Sequence, residues 1–169
     1  MKIGITYDLK DDYLKLGYGE EEIAEFDSHV TIDAIDESIK KLGHETEKIG
    51  NLHALINLLN KGKTWDLVFN ICEGMHGRYS RESQVPALLE AFRIPYTFSD
   101  PVIQGISLKK DLAKIIVRNF GFKTPDFFTV NNLSDIENIK IKFPLFAKPI
   151  AEGTSKGISG KSKVHEDRK

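Results

Sequence analysis

Three observations predict a doubly wound α/β fold, a parallel sheet with helices on both faces. Strand-like and helix-like segments alternate from the amino terminus through residue 98. The run Asp66-Leu67-Val68-Phe69-Asn70-Ile71-Cys72 is almost continuously apolar, as a central strand covered on both faces must be. Two amphipathic stretches end at Gly43 and Gly62, each followed by a fresh extended segment.

The elements follow in order. Lys2 to Tyr7 reads as a first strand, and Asp8 to Gly19 as a charged, irregular connection. Glu20-Glu21-Glu22 reads as the first turn of a helix, where carboxylates suit the dipole. Ile32, Ile35, Ile39 and Leu42 recur on one helical face. His44 to Ile49 is a second strand, and Leu52, Leu55, Ile56 and Leu59 give the next helical face. Val85, Leu88, Leu89 and Phe92 supply a third helix, and Ile94 to Phe98 a fourth, short strand. The character changes after Asp100-Pro101. Leu108, Leu112, Ile115 and Ile116 form a helical face closed by Gly121, and Phe127 to Val130 reads as a strand. Ser134 is the expected N-cap of a short helix to Ile139. Phe143 to Phe146, broken by Pro144, leads into Ala147 and Lys148 as a short buried strand with a lysine at its end. This second unit has two strands, little core and a polar end. Trp65 and the phenylalanines are expected in the core, and His29, His44, His53 and His165 at the surface or in caps.

Composition bounds the function. With 169 residues, 40% hydrophobic and 29% charged, the chain suits one domain or one plus part of another. It lacks an apolar run long enough to span a membrane and a signal-peptide core, and has one cysteine, so a cytoplasmic location is expected. The net charge of −1 conceals an asymmetry: residues 140–169 carry eight Lys/Arg against three Asp/Glu, leaving sixteen against twenty-two before them. That basic tract suits a phosphate-bearing ligand. Nucleic acid is disfavoured, because the cations are not interleaved with stacking aromatics.

Two loops concentrate chemistry. K-P-I-A-E-G-T-S-K-G-I-S-G at 148–160 places Lys148 beside Gly153, Gly157 and Gly160, with Thr154, Ser155 and Ser159 between them. Glycines let backbone N–H groups face an anion, hydroxyls add donors, and the lysine adds a point charge. A flexible Gly/Ser turn with a solvated lysine has the same composition. Ser155 to Ser162 falls one residue short of the P-loop pattern, and no packed helix can follow it, so a P-loop is excluded. The second loop, Asn70 to Ser83, gathers Glu73, His76, Arg78, Arg81 and Glu82 at the carboxyl end of the predicted central strand, where open α/β sheets bind ligands. Cys72 reads as a small packing residue.

An ordered set of segments then resembles the ATP-grasp ligases, specifically the D-alanine–D-alanine ligase-like proteins. They are N-I-C-E-G-M-H-G at 70–77, Q-V-P-A-L-L-E at 84–90, I-P-Y-T-F-S at 94–99, S-L-K-K-D-L-A-K at 107–114, G-F-K-T-P at 121–125 and F-P-L-F-A-K-P-I-A-E-G-T-S-K-G at 143–157. The resemblance implies a Rossmann-like, parallel-sheet, pre-ATP-grasp domain over residues 1–99. It implies an incomplete ATP-grasp α+β subdomain over 100–169. By the same resemblance Lys110 and Lys148 contact ATP phosphate, and Glu152, Gly153, Thr154, Ser155 and Gly157 form the flap over the β- and γ-phosphates. His76, with Gly77, lines the amino-acid site, and His76 and Glu73 are the candidate catalytic residues.

The implied reaction is ATP-dependent joining of a carboxylate to an amine through an acyl phosphate, with ATP and Mg²⁺ as cofactors and an amino acid as substrate. The family's metal ligands and catalytic arginine are expected beyond residue 169, so no metal ligand is assigned here and the chain alone is expected to be inactive. Lys109 stands where the family has aspartate, Ser80-Arg81-Glu82-Ser83 replaces G-E-D-G, and Tyr7-Asp8-Leu9-Lys10 replaces a glycine-rich strand-end signature. These departures leave the amino-acid substrate open. A non-catalytic remnant, or a module binding a nucleotide or a partner, is the competing expectation. An unfinished sheet leaves an open edge and apolar surface that invite a partner chain or a homodimer.

Overall fold

The computed structural model describes residues 1–75 and 79–165. The chain divides into two compact units, Met1–Gly105 and Ile106–Lys169.

The first unit is a parallel three-stranded sheet in the order β2-β1-β3, with β1 at Lys2–Tyr7, β2 at Glu45–Gly50 and β3 at Leu67–Ile71. β1 is central, and Ile3, Gly4, Ile5 and Thr6 are all buried because both faces and both edges are covered. At Gly4 a Cβ would lie 2.5 Å from Ile49 Cδ1 and 3.1 Å from the Trp65 ring, so only glycine admits this close packing. The expected fourth strand is reduced to one parallel bridge between Val68 and Tyr96, made by Val68 N–H to Pro95 O (2.8 Å) and Thr97 N–H to Val68 O (3.0 Å). Pro95 has no N–H for a longer ladder, and Phe98 turns away at φ 71°.

Helices cover the sheet. α1 spans Lys10–Lys15 inside the stretch expected to be irregular, and α2 spans His29–Lys41, capped by Ser28 accepting from Thr31 N–H. The helix expected at Glu20 does not form. Residues 20–25 are turns, because the stable cap is Ser28. α3 spans Leu52–Asn60 with Asn51 as cap, and α4 spans Gln84–Ala91 behind a 3₁₀ turn at Arg81–Ser83. Ile49, Leu55, Leu59, Trp65, Val68, Cys72, Val85, Leu89 and Ile94 make the larger core cluster, and Ile3, Ile5 and Ile39 a smaller one.

α5 spans Pro101–Leu108. In the second unit α6 spans Lys110–Asn119, the two-residue strands β4 (Leu145–Phe146) and β5 (Lys163–Val164) pair antiparallel, and 3₁₀ turns occupy Leu133–Asn138 and Gly160–Ser162. Several expectations change here. Phe127 to Val130 is not a strand, and the cap of the short helix is Asn132, whose side chain accepts from Ser134 N–H while Asp135 closes the box. The strand before Lys148 is not buried: Phe146 is 52% exposed, and Lys148 is exposed. Nor are most phenylalanines core: Phe69 packs against the smaller cluster, but Phe98, Phe120 and Phe122 are all largely exposed. α6 has apolar residues at helical spacing yet buries none of them, and Leu108 and Ala151 are the buried apolar residues of this unit among those described. No helix is long and apolar enough to cross a membrane, among the described residues.

Leu55, fully buried on α3, tests the core assignment. Leu55→Ala is expected to cost about 2–5 kcal/mol, whereas Val30→Ala on the exposed face of α2 is expected to stay within about 0.5 kcal/mol. Urea unfolding followed by fluorescence of Trp65, the single tryptophan, checks both.

Candidate functional site

Parallel pairing brings the carboxyl ends of β1 and β3 side by side, and the chain continues from them into Asp8 and into Cys72-Glu73-Gly74. Asp8 is 1% exposed. Its Oδ1 accepts from the Tyr13 hydroxyl at 2.6 Å and its Oδ2 from the Glu73 N–H at 2.9 Å. Burial raises the Asp8 carboxyl above its ordinary range, and these hydrogen bonds oppose the rise. Burial and the adjoining Asp8 carboxylate push the Tyr13 phenol up, so it stays a donor. One layer deeper, Asn70 Oδ1 accepts from Thr6 Oγ1 (2.8 Å) and Cys72 N–H (3.3 Å), and Asn70 N–H donates to Thr97 Oγ1 (3.0 Å). The Cys72 thiol is buried and pushed well up, consistent with a packing role.

The loop after Glu73 leaves through a narrow neck. Gly74 has φ +79°, and a Cβ there would lie 2.1 Å from the carbonyl oxygen of Arg81. Beyond the neck, Met75 N–H donates to Gln84 Oε1 at 2.9 Å. His76 lies within residues 76–78, outside the described residues. Glu73 itself is half-buried. Desolvation, with Glu82, Glu25 and Asp8 around it, raises its carboxyl to about 7 against the pull of Arg81. It therefore changes charge near neutrality, which suits a group that binds an ammonium or exchanges a proton.

Arg81 reaches back to Glu25, Nη2 to Oε2 at 2.5 Å, with the Glu25 side chain buried and that of Arg81 12% exposed. Tyr13 and Glu25 were not singled out by sequence reading, and Asp8 was placed at a ligand-binding strand end without a role of its own. For Asp8 the available signal was its place at a strand's carboxyl end. Glu25 carries no local signal, because its partner is 56 positions away.

In the second unit Lys110, the first residue of α6, donates from its backbone N–H to Ile150 O at 2.9 Å and from Nζ to Glu152 O. The lysine head thus sits against the start of the glycine loop. Lys156 Nζ lies 3.3 Å from Glu152 Oε2, and Lys156 N–H closes a turn on Gly153 O at 2.8 Å. Thr154 (φ 44°) and Ser155 (φ 62°) are held in the left-handed region, at a cost of about 1–2 kcal/mol each, and both are exposed. Gly157 (φ +70°) approaches Pro149 so closely that a Cβ would meet its Cγ at 2.7 Å. The structure therefore brings Lys110, Glu152 and Gly153 together. Lys148 Nζ packs over the Phe146 ring at 5.3 Å, on the strand leading into the loop. No group of three or more His, Cys, Asp or Glu is placed to hold a metal ion among the described residues.

No protein-family model matches the chain. A D-alanine–D-alanine ligase of Aquifex aeolicus (strain VF5) is 37% identical over 126 residues, covering 74% of this chain and 42% of that ligase. The crystal structure of D-alanine–D-alanine ligase from Bacillus anthracis matches with a TM-score of 0.59 at 26% identity, over 99% of this chain and 50% of the other. The structure of that ligase complexed with ATP matches with a TM-score of 0.56 at 24% identity, over 99% and 51%.

These likenesses define a class first, mixed α/β proteins with the architecture of the D-alanine ligases. Within it, the chain belongs to the D-alanine–D-alanine ligase-like family of ATP-grasp proteins. It spans about half or less of the length of the relatives it matches.

The raised Glu73 carboxyl gives a pH signature. An acid whose folded value lies above its unfolded one favours folding when protonated, so its contribution is present below about pH 4.5 and is lost as pH rises to about 7. Relative to the wild type, Glu73→Gln is expected to gain on the order of 1–2 kcal/mol between pH 5 and 8, after allowing for partial solvent screening. Urea midpoints read by Trp65 fluorescence across that range check it, and a pH-independent difference refutes it.

Proposed function

We propose that the chain is part of an ATP-dependent carboxylate–amine ligase of the D-alanine–D-alanine type. Residues 1–99 are the pre-ATP-grasp domain, and residues 100–169 begin the ATP-grasp nucleotide-binding unit. The observation that carries this reading is the 37% identity to a D-alanine–D-alanine ligase across three quarters of the chain. The contact of the Lys110 ammonium with the first residue of the glycine loop supports it, because it sets a cation beside a turn rich in N–H and hydroxyl donors.

In this reading ATP is a substrate. One substrate carboxylate attacks the γ-phosphorus, the bond to ADP breaks, and an acyl phosphate forms. An amine then attacks the acyl carbon, phosphate leaves, and the amine loses a proton. Lys110 and Lys148 offset phosphate charge, and Glu152, Gly153, Thr154, Ser155 and Gly157 frame the phosphates with backbone donors and hydroxyls. Glu73 and His76 belong to the amino-acid side, where Glu73 accepts an ammonium or a proton. The Mg²⁺ that such chemistry uses has no ligand set among the described residues. The partners are a small amino acid and, on the uncovered face of α6, a second chain.

A second reading, a non-catalytic module that binds a nucleotide or a partner, is favoured by one observation: Leu112, Ile115 and Val117 of α6 are exposed. Calorimetric titration with ATP in Mg²⁺ buffer is expected to show binding, weakened about tenfold or more by Lys110→Ala or Lys148→Ala, since a charge-assisted hydrogen bond is worth about 1.5–3 kcal/mol. Binding unaffected by both substitutions, or absent at roughly millimolar ATP, removes the phosphate-site assignment. ADP release dependent on an added amino acid supports the ligase over the module.

A further inference from the structure

The segment from Tyr18 to Asp27 has little regular structure but is firmly attached across the strand ends. Tyr18 and Phe26 pack on the Tyr13 ring, with centroids 5.4 and 4.3 Å away, and Ile23 is buried. Asp27 N–H donates to Asp8 O at 2.9 Å and Lys10 N–H to Asp27 O at 3.0 Å. From this segment Glu25 extends to Arg81, which forms the far side of the Gly74 neck. The pair is thus tied at one end to the strand-end segment and at the other to the loop that carries Glu73 and His76.

We propose that Glu25 and Arg81 are positioning residues of the strand-end site. Their ion pair closes the Tyr18–Asp27 segment onto the loop neck and engages the Arg81 guanidinium, so that its pull on Glu73 is only partial. The proposal rests on reading the strand end as the amino-acid site, and it assigns that site's geometry and charge to a pair outside the resemblance motifs. The charged groups facing Glu73 among the described residues are Asp8 from the end of β1, Glu25 from the 18–27 segment, and Arg81 and Glu82 from the 3₁₀ turn. Only Arg81 in that set is cationic, and Glu25 engages it. Loss of Glu25 removes one carboxylate and releases the guanidinium to Glu73. Loss of Arg81 withdraws this cation from Glu25 and from Glu73 alike.

The test is a ¹³C NMR titration of the Glu73 carboxyl in the ligand-free chain, assigned with Glu73→Gln, alongside calorimetric binding of D-alanine. In the wild type the midpoint is expected at about 7. Glu25→Gln is expected to lower it by about one unit or more, and Arg81→Gln to raise it. Glu25→Arg combined with Arg81→Glu is expected to return it toward the wild-type value. D-alanine affinity is expected to fall about tenfold in Glu25→Gln, with its pH midpoint moving with that of Glu73.

An unchanged Glu73 midpoint in both single variants overturns the proposal, as does wild-type affinity and pH profile in Glu25→Gln. If a single variant fails to fold by Trp65 fluorescence, Arg81→Lys and the charge swap carry the same test. If the wild type binds no D-alanine, the amino-acid reading fails for that ligand, while the NMR titration still decides the role of the pair.

Discussion

Parallel pairing of β1 with β2 on one edge and β3 on the other is the constraint on which the first unit depends. A central strand of a parallel sheet is covered on both faces, which is why Ile5 is fully buried and why Gly4 tolerates no side chain. The same pairing stops β1 and β3 at a common level and gathers their continuations. Asp8 is placed there with almost no solvent. A carboxylate in that position is costly unless hydrogen-bonded, and the Tyr13 hydroxyl and the Glu73 amide supply the bonds. One buried carboxylate thereby ties the first strand's exit to the loop leaving the third.

Around this anchor the electrostatics are uneven by construction. Among the described residues Glu73 has three carboxylates and one guanidinium around it, and the guanidinium is engaged by Glu25. The result is an acid poised near neutrality at the mouth of a parallel sheet, where α/β proteins bind their ligands. The second unit shows a different economy. It has short strands, a helix whose apolar residues are not buried, and a glycine loop with two non-glycine residues in the left-handed region. Exposed apolar side chains and strained donors of that kind are costly by themselves.

Much of the fold was legible in the sequence. The helices closed by Gly43 and Gly62 lie where periodicity put them, and the apolar run to Cys72 does hold a strand, but β1 and not β3 is central, and β3, with one bridge beyond it, alternates buried and half-buried residues instead of being covered on both faces. Legibility failed where a cap or a partner decided the outcome. Glu20 to Glu22 resembles a helix start, yet Ser28, with a hydroxyl in reach of Thr31 N–H, captures the terminus. Ile94 to Phe98 has strand composition, but Pro95 withholds a donor and Phe98 bends the chain. The phenylalanines were expected inside because burial is their usual fate, and in the second unit there is little core to receive them.

For the candidate site, composition marked both loops: glycines, hydroxyls and a lysine on one side, and Glu73 among glycines on the other. The association of Lys110 with Glu152 joins residues 42 positions apart, and that of Arg81 with Glu25 joins residues 56 apart. By itself the sequence determined the alternation of elements, the polarity of the loops and the family likeness, since each is written in local order or in ordered motifs. Only the tertiary structure decided which acid is desolvated, which cation faces it and which carboxylate is anchored. Those properties depend on distances between segments far apart in the chain, and local pattern carries no distances.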